Sequence, residues 1–230
     1  MFDQKALSLL AFGAVSSVHA QSLNLAVKFS SDGGATWSSQ VEAVRGSVVQ
    51  GAIFMSGEGQ VYGLGGATLR LTATGAHQND SAQFGAGTQT GRVGPFNFGA
   101  ATNAIYTTAD GFRIDAASDP ENTNPQAGLT FFQRDPSSGG AGFSTANPAL
   151  VFRFDVLISS ANAERGIQIS LDELSNGVAS YYSSSSATRS TRLAATLSGG
   201  TIYAGIFPAP GTLLAVCLGG VLTRRRTRRV

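Results

Sequence analysis

The chain has 230 residues, with 16 Lys and Arg against 14 Asp and Glu, two histidines and one cysteine. That length holds one or two domains, a lone cysteine excludes a disulfide framework, and so few His and Cys leave no ligand set for a zinc site. The net charge of +2 belongs to the ends: outside residues 1–20 and 208–230 there are ten basic against thirteen acidic side chains, a balance unsuited to nucleic acid.

Lys5, the apolar run Ala6–Val15 and the small-residue site Val18-His19-Ala20 form the charged, apolar and cleavage regions of a secretory signal peptide. Residues 1–20 are therefore expected to be a signal helix handled by the Sec export machinery, with the exported body starting at Gln21. The single cysteine, Cys217, lies beyond that body.

Leu23, Leu25, Val27 and Phe29 alternate with polar or small residues, the period of a half-buried strand. The turn SSDGGATW follows. Its Ser30, Asp32, Gly34, Thr36 and Trp37 resemble the Asp-box hairpin of sialidase-type propellers. The resemblance implies that Ser30 and Asp32 bond turn backbone, that Gly34 takes a conformation closed to other residues, and that Trp37 packs back on the hairpin. The box occurs once, without the 40–50-residue repeat of a propeller, so the expectation is a structural turn.

Val41–Met55 reads as two short β runs around Gly46 and Gly51, with Val48, Ile53 and Phe54 as core candidates. Residues 57–66 are glycine-dense and read as a loop or bulge. Ala67–Thr74 is the cleanest amphipathic strand, with Ala67, Leu69, Leu71 and Ala73 on one face. Patterning fades over Gly75–Asn103, a long loop pinned by Phe84, Val93, Phe96 and Phe98. Further strands are expected at 105–108, 112–115, 129–134 and 150–158. A hairpin across 161–166 would join the last of these to Ile167, Ile169 and Leu171, and the final strands are expected at 178–182, 191–197 and 201–207. Nine to eleven short strands without an amphipathic helix predict an all-β fold: a single two-sheet antiparallel β-sandwich over residues 21–207, with Ig-like, cohesin-like and jelly-roll topologies all open.

Candidate chemistry is sparse. His77, beside Asn79 and Asp80, lacks a nucleophile motif and reads as a solvated loop residue. Asp172 and Glu173 are adjacent, so on a strand they point to opposite faces. Calcium is the one cofactor considered: Asp110, Asp115, Asp119 and Glu121, with Asn122 and Asn124, crowd two neighbouring loops with oxygen ligands, though without EF-hand spacing. Tyr181-Tyr182 and Phe96-Asn97-Phe98 are the candidate sugar platforms, with one tyrosine of the pair expected in the core and the other exposed. No enzyme is expected.

The last stretch carries the clearest signal. Pro208, Ala209, Pro210 and Gly211 break any incoming helix, Thr212–Leu222 is apolar, and Arg224, Arg225, Arg226, Arg228 and Arg229 follow. As a helix the apolar segment reaches about 17–20 Å, a marginal span of a ~30 Å hydrocarbon core, and the arginines act as a cytoplasmic stop-transfer cluster. This order resembles the PEP-CTERM sorting signal of Gram-negative bacteria. The resemblance implies a hydrophobic C-terminal helix held for a time in the inner membrane, an exosortase-type protease as partner, and a destination at the cell surface or in extracellular matrix. Ala209 stands where that signal carries Glu, so cleavage and retention of the tail both stay open. The expected protein is thus an exported, non-enzymatic structural or adhesive β-sandwich. The alternative is a secreted carbohydrate-binding or carbohydrate-active protein, with extracellular polysaccharide as its partner.

Overall fold

The computed structural model describes residues 20–99, 102–138, 140–159, 164–174 and 179–205. The expected signal peptide, sorting motif, apolar segment and arginine cluster lie outside them. Among the described residues fourteen strands run in order: β1 (Ser22–Ser30), β2 (Gln40–Val44), β3 (Val48–Glu58), β4 (Gly63–Thr74), β5 (Ser81–Phe84), β6 (Asn103–Thr108), β7 (Gly111–Ala116), β8 (Leu129–Phe132), β9 (Ala149–Leu157), β10 (Arg165–Glu173), β11 (Ala179–Tyr182), β12 (Thr191–Leu193), β13 (Ala195–Ser198) and β14 (Gly200–Gly205). Among the described residues no helix is long and apolar enough to cross a membrane.

Five strands form one sheet in the order β13-β1-β3-β9-β5. Nine form the other: its main path is β12-β11-β4-β10-β14-β2, with β7 and β8 on the second edge of β4 and β6 beyond β7. The long strand β4 organises this sheet, because β11 pairs with its first half and β10 with its second on one edge, while β8 and β7 share the other. Alternation builds the core: Leu25, Val27, Ile53, Phe152 and Phe154 from the first sheet meet Leu69, Leu71, Ile114, Ile167 and Ile202 from the second, all essentially inaccessible. Burying each such side chain stabilises the fold by about 1.5–3 kcal/mol.

The all-β two-sheet sandwich is present, with four departures from the sequence reading. First, it is not purely antiparallel: β13 runs parallel to β1 and β14 parallel to β2. The expected strand over 191–197 breaks at Ala194, and its halves β12 and β13 belong to different sheets. Crossing from sheet to sheet is what brings the late strands alongside early ones in parallel. Second, β9 and β10 form no hairpin; β9 pairs with β3 and β5, and β10 with β4 and β14. Both alternate because both have one buried face, and alternation does not say which sheet a strand joins.

Third, the glycine-dense stretch is not all loop, since β4 already begins at Gly63. At Gly66, φ is +141° and an added Cβ would lie 2.2 Å from the Phe131 carbonyl oxygen, so glycine here permits close approach of β8. Fourth, Val48 is exposed and its neighbour Val49 takes the core position, a one-residue difference in phase that a Val-Val pair does not resolve. Within Gly75–Asn103, β5 pairs with β9 and Phe96 is the buried pin, while Phe98 stays exposed.

Candidate functional site

The Asp-box-like turn closes β1. Ser30 Oγ donates to Asp32 Oδ1 at 2.6 Å and accepts the Gly34 N–H at 2.8 Å. Asp32 in turn accepts the Thr36 N–H at 3.0 Å on Oδ1 and the Thr36 hydroxyl at 2.6 Å on Oδ2. Gly34 has φ +92°, a conformation that penalises other residues. Trp37 stacks edge-on against Phe54 with ring centroids 5.5 Å apart. Phe29 and Ser38 exchange backbone hydrogen bonds at 2.7 and 2.9 Å to seal the hairpin. The hydroxyls of Ser30 and Thr36, with the Thr36 N–H, hold the Asp32 carboxyl well below its ordinary range. Both its oxygens are occupied by the turn itself, so its role is structural.

The six oxygen-bearing residues considered for calcium are distributed differently. Asp115 is fully buried at the end of β7, where its Oδ2 lies 2.5 Å from Arg70 Nε and 3.3 Å from Arg113 Nε, while Oδ1 accepts the Ala116 N–H. Asp119 caps the following turn, accepting the N–H groups of Thr123 and Asn124 at 2.9 and 3.2 Å. Burial pushes the Asp119 carboxyl up, but those N–H groups, the Thr123 hydroxyl and the Arg70 charge outweigh it and leave it below its ordinary value. Arg113 Nη2 donates to the carbonyls of Asp119 and Pro120, and its guanidinium lies 4.8 Å from the centre of the Tyr106 ring. Asp110, Glu121 and Asn122 are exposed. Arg70 and Arg113, which organise this loop, are the residues that sequence reasoning missed. Arg70 carried one signal, as the sole charge on the otherwise Thr-lined outward face of β4.

The His77 loop also has an organiser. Asp80, almost inaccessible, accepts N–H bonds from His77 and Ser159 at 2.8 Å each and a bidentate pair from Arg165, whose Nε lies 2.8 Å away. Burial pushes the Asp80 carboxyl up; Arg165 and the two N–H groups prevail and hold it below its ordinary value. Asp80 precedes β5 of one sheet and Arg165 opens β10 of the other, so the pair clamps the two sheets together at one end. His77 Nδ1 accepts the Asn79 N–H, and its place is that of a turn residue.

Both tyrosines of the expected sugar platform are buried, Tyr181 at 5% and Tyr182 at 6% exposure. Pairing shifts at Ser180/Tyr181, and Phe143, from the loop after β8, covers the far side, edge-on to Tyr182 with ring centroids 5.7 Å apart. Phe96 is likewise in the core, and Phe98 lies beneath the Arg134 guanidinium.

A different surface is open. Thr74, Gln168, Thr201 and Gln40 are register neighbours across β4, β10, β14 and β2. They point outward, because Ala73, Ile167, Ile169 and Ile202 point in. With Ser39 and Ser170 they line a shallow trough of about 430 Å³ without a charged side chain. A second hollow of about 490 Å³ opens along the same strands beside Glu42, Glu164, Arg165 and Tyr203. The trough can donate and accept hydrogen bonds through amides and hydroxyls, and its lining holds no acid, base or nucleophile–base pair.

No protein-family model matches the chain, and no curated protein sequence does. Solved structures with a similar layout include the seventh ScaB type I cohesin of Pseudobacteroides cellulosolvens, at 11% identity and TM-score 0.47 over 82% of this chain and 96% of that one. A chain of the Coh-OlpA–Doc918 cohesin–dockerin complex from Clostridium thermocellum aligns at 5% identity and TM-score 0.42, over 80% and 99%. The sixth cohesin of Acetivibrio cellulolyticus scaffoldin B, solved with a Cel5 dockerin, aligns at 16% identity and TM-score 0.39, over 81% and 99%. At these identities and scores the resemblance is one of architecture alone.

Proposed function

We propose that residues 21–207 act as an exported, non-enzymatic structural or adhesive module at the cell surface or in extracellular matrix. In this reading residues 1–20 direct Sec export, and residues 208–230 hold the chain in the inner membrane until an exosortase-type protease sorts it. The observation that carries the non-enzymatic part is the distribution of polar groups: the trough on the larger sheet is lined by neutral Thr, Gln and Ser, while Asp80, Asp115 and Asp119 are engaged with arginines and turn N–H groups. Fractionation of cells making the chain with and without residues 208–230 tests the sorting part. The intact chain is expected in the membrane fraction or at the surface and the shortened one in the medium; identical partitioning would falsify it.

A second reading, neutral-polysaccharide binding, is favoured by the trough, where the side-chain amides of Gln40 and Gln168 stand in one cross-strand row with the Thr74 and Thr201 hydroxyls. Affinity electrophoresis in gels containing a neutral glucan tests it. Retardation that is lost in Gln168→Ala supports the reading, and unchanged migration of the unsubstituted chain removes it.

A further inference from the structure

Thr201 and Tyr203 of β14 both point off the outer face of the larger sheet, because Ile202 and Ala204 point into the core. Register puts Gln168 and Gln40 on either side of Thr201, and Gly166 and Glu42 on either side of Tyr203. The trough and the second hollow are therefore consecutive rows of one face, the first around Thr201 and the second around Tyr203. Glu164, just before β10, stands on this face too, since its Cγ lies 3.0 Å from where a Gly205 Cβ would be. From Ser170 to Glu164 the outward row of β10 covers about 20 Å, at ~3.3 Å per residue. That is the length of an oligosaccharide and well beyond a single sugar.

Tyr203 is 43% exposed. Among the described residues the other exposed large aromatics are covered, Tyr62 by Phe143 and Phe98 by Arg134, whereas Tyr203 has no ring or cation over it. Its neighbour on β10 is Gly166. At Gly51, Gly63, Gly65 and Gly66 an added Cβ would stand 2.2–2.5 Å from another atom, so close packing there calls for glycine. Gly166 has no such reason: its φ is not positive, and its Cβ would meet nothing nearer than Thr201 Cγ2 at 3.7 Å. What this glycine leaves is bare floor beside an exposed ring, opening into the hollow of about 490 Å³.

A tyrosine face with space beside it, continued by a row of amides and hydroxyls, offers the two contacts a sugar polymer needs: an apolar platform for ring C–H groups, and partners for its hydroxyls. Charge selects the kind of polymer. The trough has no charged side chain, and the hollow adds the carboxylates of Glu42 and Glu164, while its arginine, Arg165, is engaged by Asp80. Carboxylates accept hydroxyl donors and repel acidic sugars. We propose that a neutral, extended polysaccharide lies along β10 and β14, with one sugar ring stacked on Tyr203 over Gly166 and the following ones in the trough. The proposal rests on the reading of the trough as a polysaccharide surface and adds to it the stacking position, the direction of the polymer and the exclusion of acidic sugars. Tyr203 thereby takes the platform role that the buried Tyr181 and Tyr182 do not fill.

The test is calorimetric titration of the full chain with cellohexaose and β-mannohexaose, with the corresponding disaccharides, and with an oligomannuronate as the acidic probe. At least one hexasaccharide is expected to bind, more tightly than its disaccharide, and the oligomannuronate is expected to give no heat of binding. Tyr203→Ala should weaken hexasaccharide binding about tenfold, and Tyr203→Trp should keep it. Gly166→Ile fills the floor beside the ring and should weaken binding by a similar factor, with a thermal transition no lower than that of the natural chain. Binding that falls in Gln168→Ala but is unchanged in Tyr203→Ala and Gly166→Ile overturns the stacking position and leaves the trough reading standing. Binding that falls in Tyr203→Ala but is unchanged in Gln168→Ala confines the sugar to the hollow and overturns the continuous groove. No binding of either hexasaccharide overturns both readings, and oligomannuronate binding as tight as that of the neutral sugars overturns the proposal.

Discussion

The turn Ser30–Trp37 and the loop Ala116–Ala127 are both short, acidic and rich in small side chains, yet they are held in opposite ways. In the turn, every partner of Asp32 lies within four residues, and the group stays at the surface. In the loop, the fold's hold comes from Arg70, more than forty residues upstream on β4, which meets the buried Asp115 on the outer face of the sheet and approaches Asp119 to 3.9 Å. Similar composition therefore gives a self-contained turn in one place and, in the other, a loop wrapped around two guanidinium groups that another strand has to supply or support.

The largest expected effect breaks the second arrangement. Asp115→Ala leaves Arg70 and Arg113 adjacent, with only the longer 3.9 Å approach of Asp119 to offset their charge, and breaking a buried pair in this way costs about 3–5 kcal/mol; urea unfolding measures it. A loss under 1 kcal/mol would mean that the loop, like the turn, stands by itself. Asp80→Ala probes a mixed case, with one local N–H donor in His77 and distant partners in Ser159 and Arg165, and is expected to cost about 2–3 kcal/mol. Because the folded carboxyl is held below its ordinary value, its contribution is complete above the unfolded pKa of about 3.9 and is lost as pH falls through the folded value. The stability gap between the natural chain and the variant should therefore close on acidification below about pH 4, and a gap that widens there contradicts the assignment.

Gly34→Ala tests the turn. A side chain at φ +92° is strained, and its Cβ would stand 3.1 Å from Gln50 Oε1, so a loss of about 1–2 kcal/mol is expected, with hydrogen exchange rising first at the Gly34 and Thr36 N–H groups. The smallest effect is expected from millimolar calcium. Asp115 faces two arginines and Asp119 its own turn, so the thermal midpoint of the sandwich should not move. A clear upward shift would mean that Asp119 exchanges its N–H donors for a cation, which would revive the oxygen-ligand reading of this loop.

What was legible in the sequence follows the same division. The alternation of Leu23 to Phe29 and of Ala67 to Ala73 specified two strands and their buried faces, because that information is local, and Ser30 to Trp37 pointed, through its resemblance to the Asp box, to a turn whose backbone Ser30 and Asp32 hold, while Trp37 packs on Phe54 of β3. The partners of β9 and β10 were not legible, since a buried face reads alike from either sheet. Tyr181 and Tyr182 were misread because alternation assumes one wet face, and Phe143 covers the face that should have been wet. Asp115 looked like a ligand because its arginines come from distant or outward-facing positions. The neutral trough was invisible for a related reason: Thr74, Gln168, Thr201 and Gln40 become one row only after four strands are in register.

The placing of β14 bears on the timing of assembly. It lies between β10 and β2, and β2 has no other strand partner among the described residues. Residues 40–44, made early, therefore wait with an open edge until almost the whole body has been synthesised. Closure of that edge is a late, long-range step, because it joins residues 40–44 to residues 201–205 and cannot precede the arrival of Gly205.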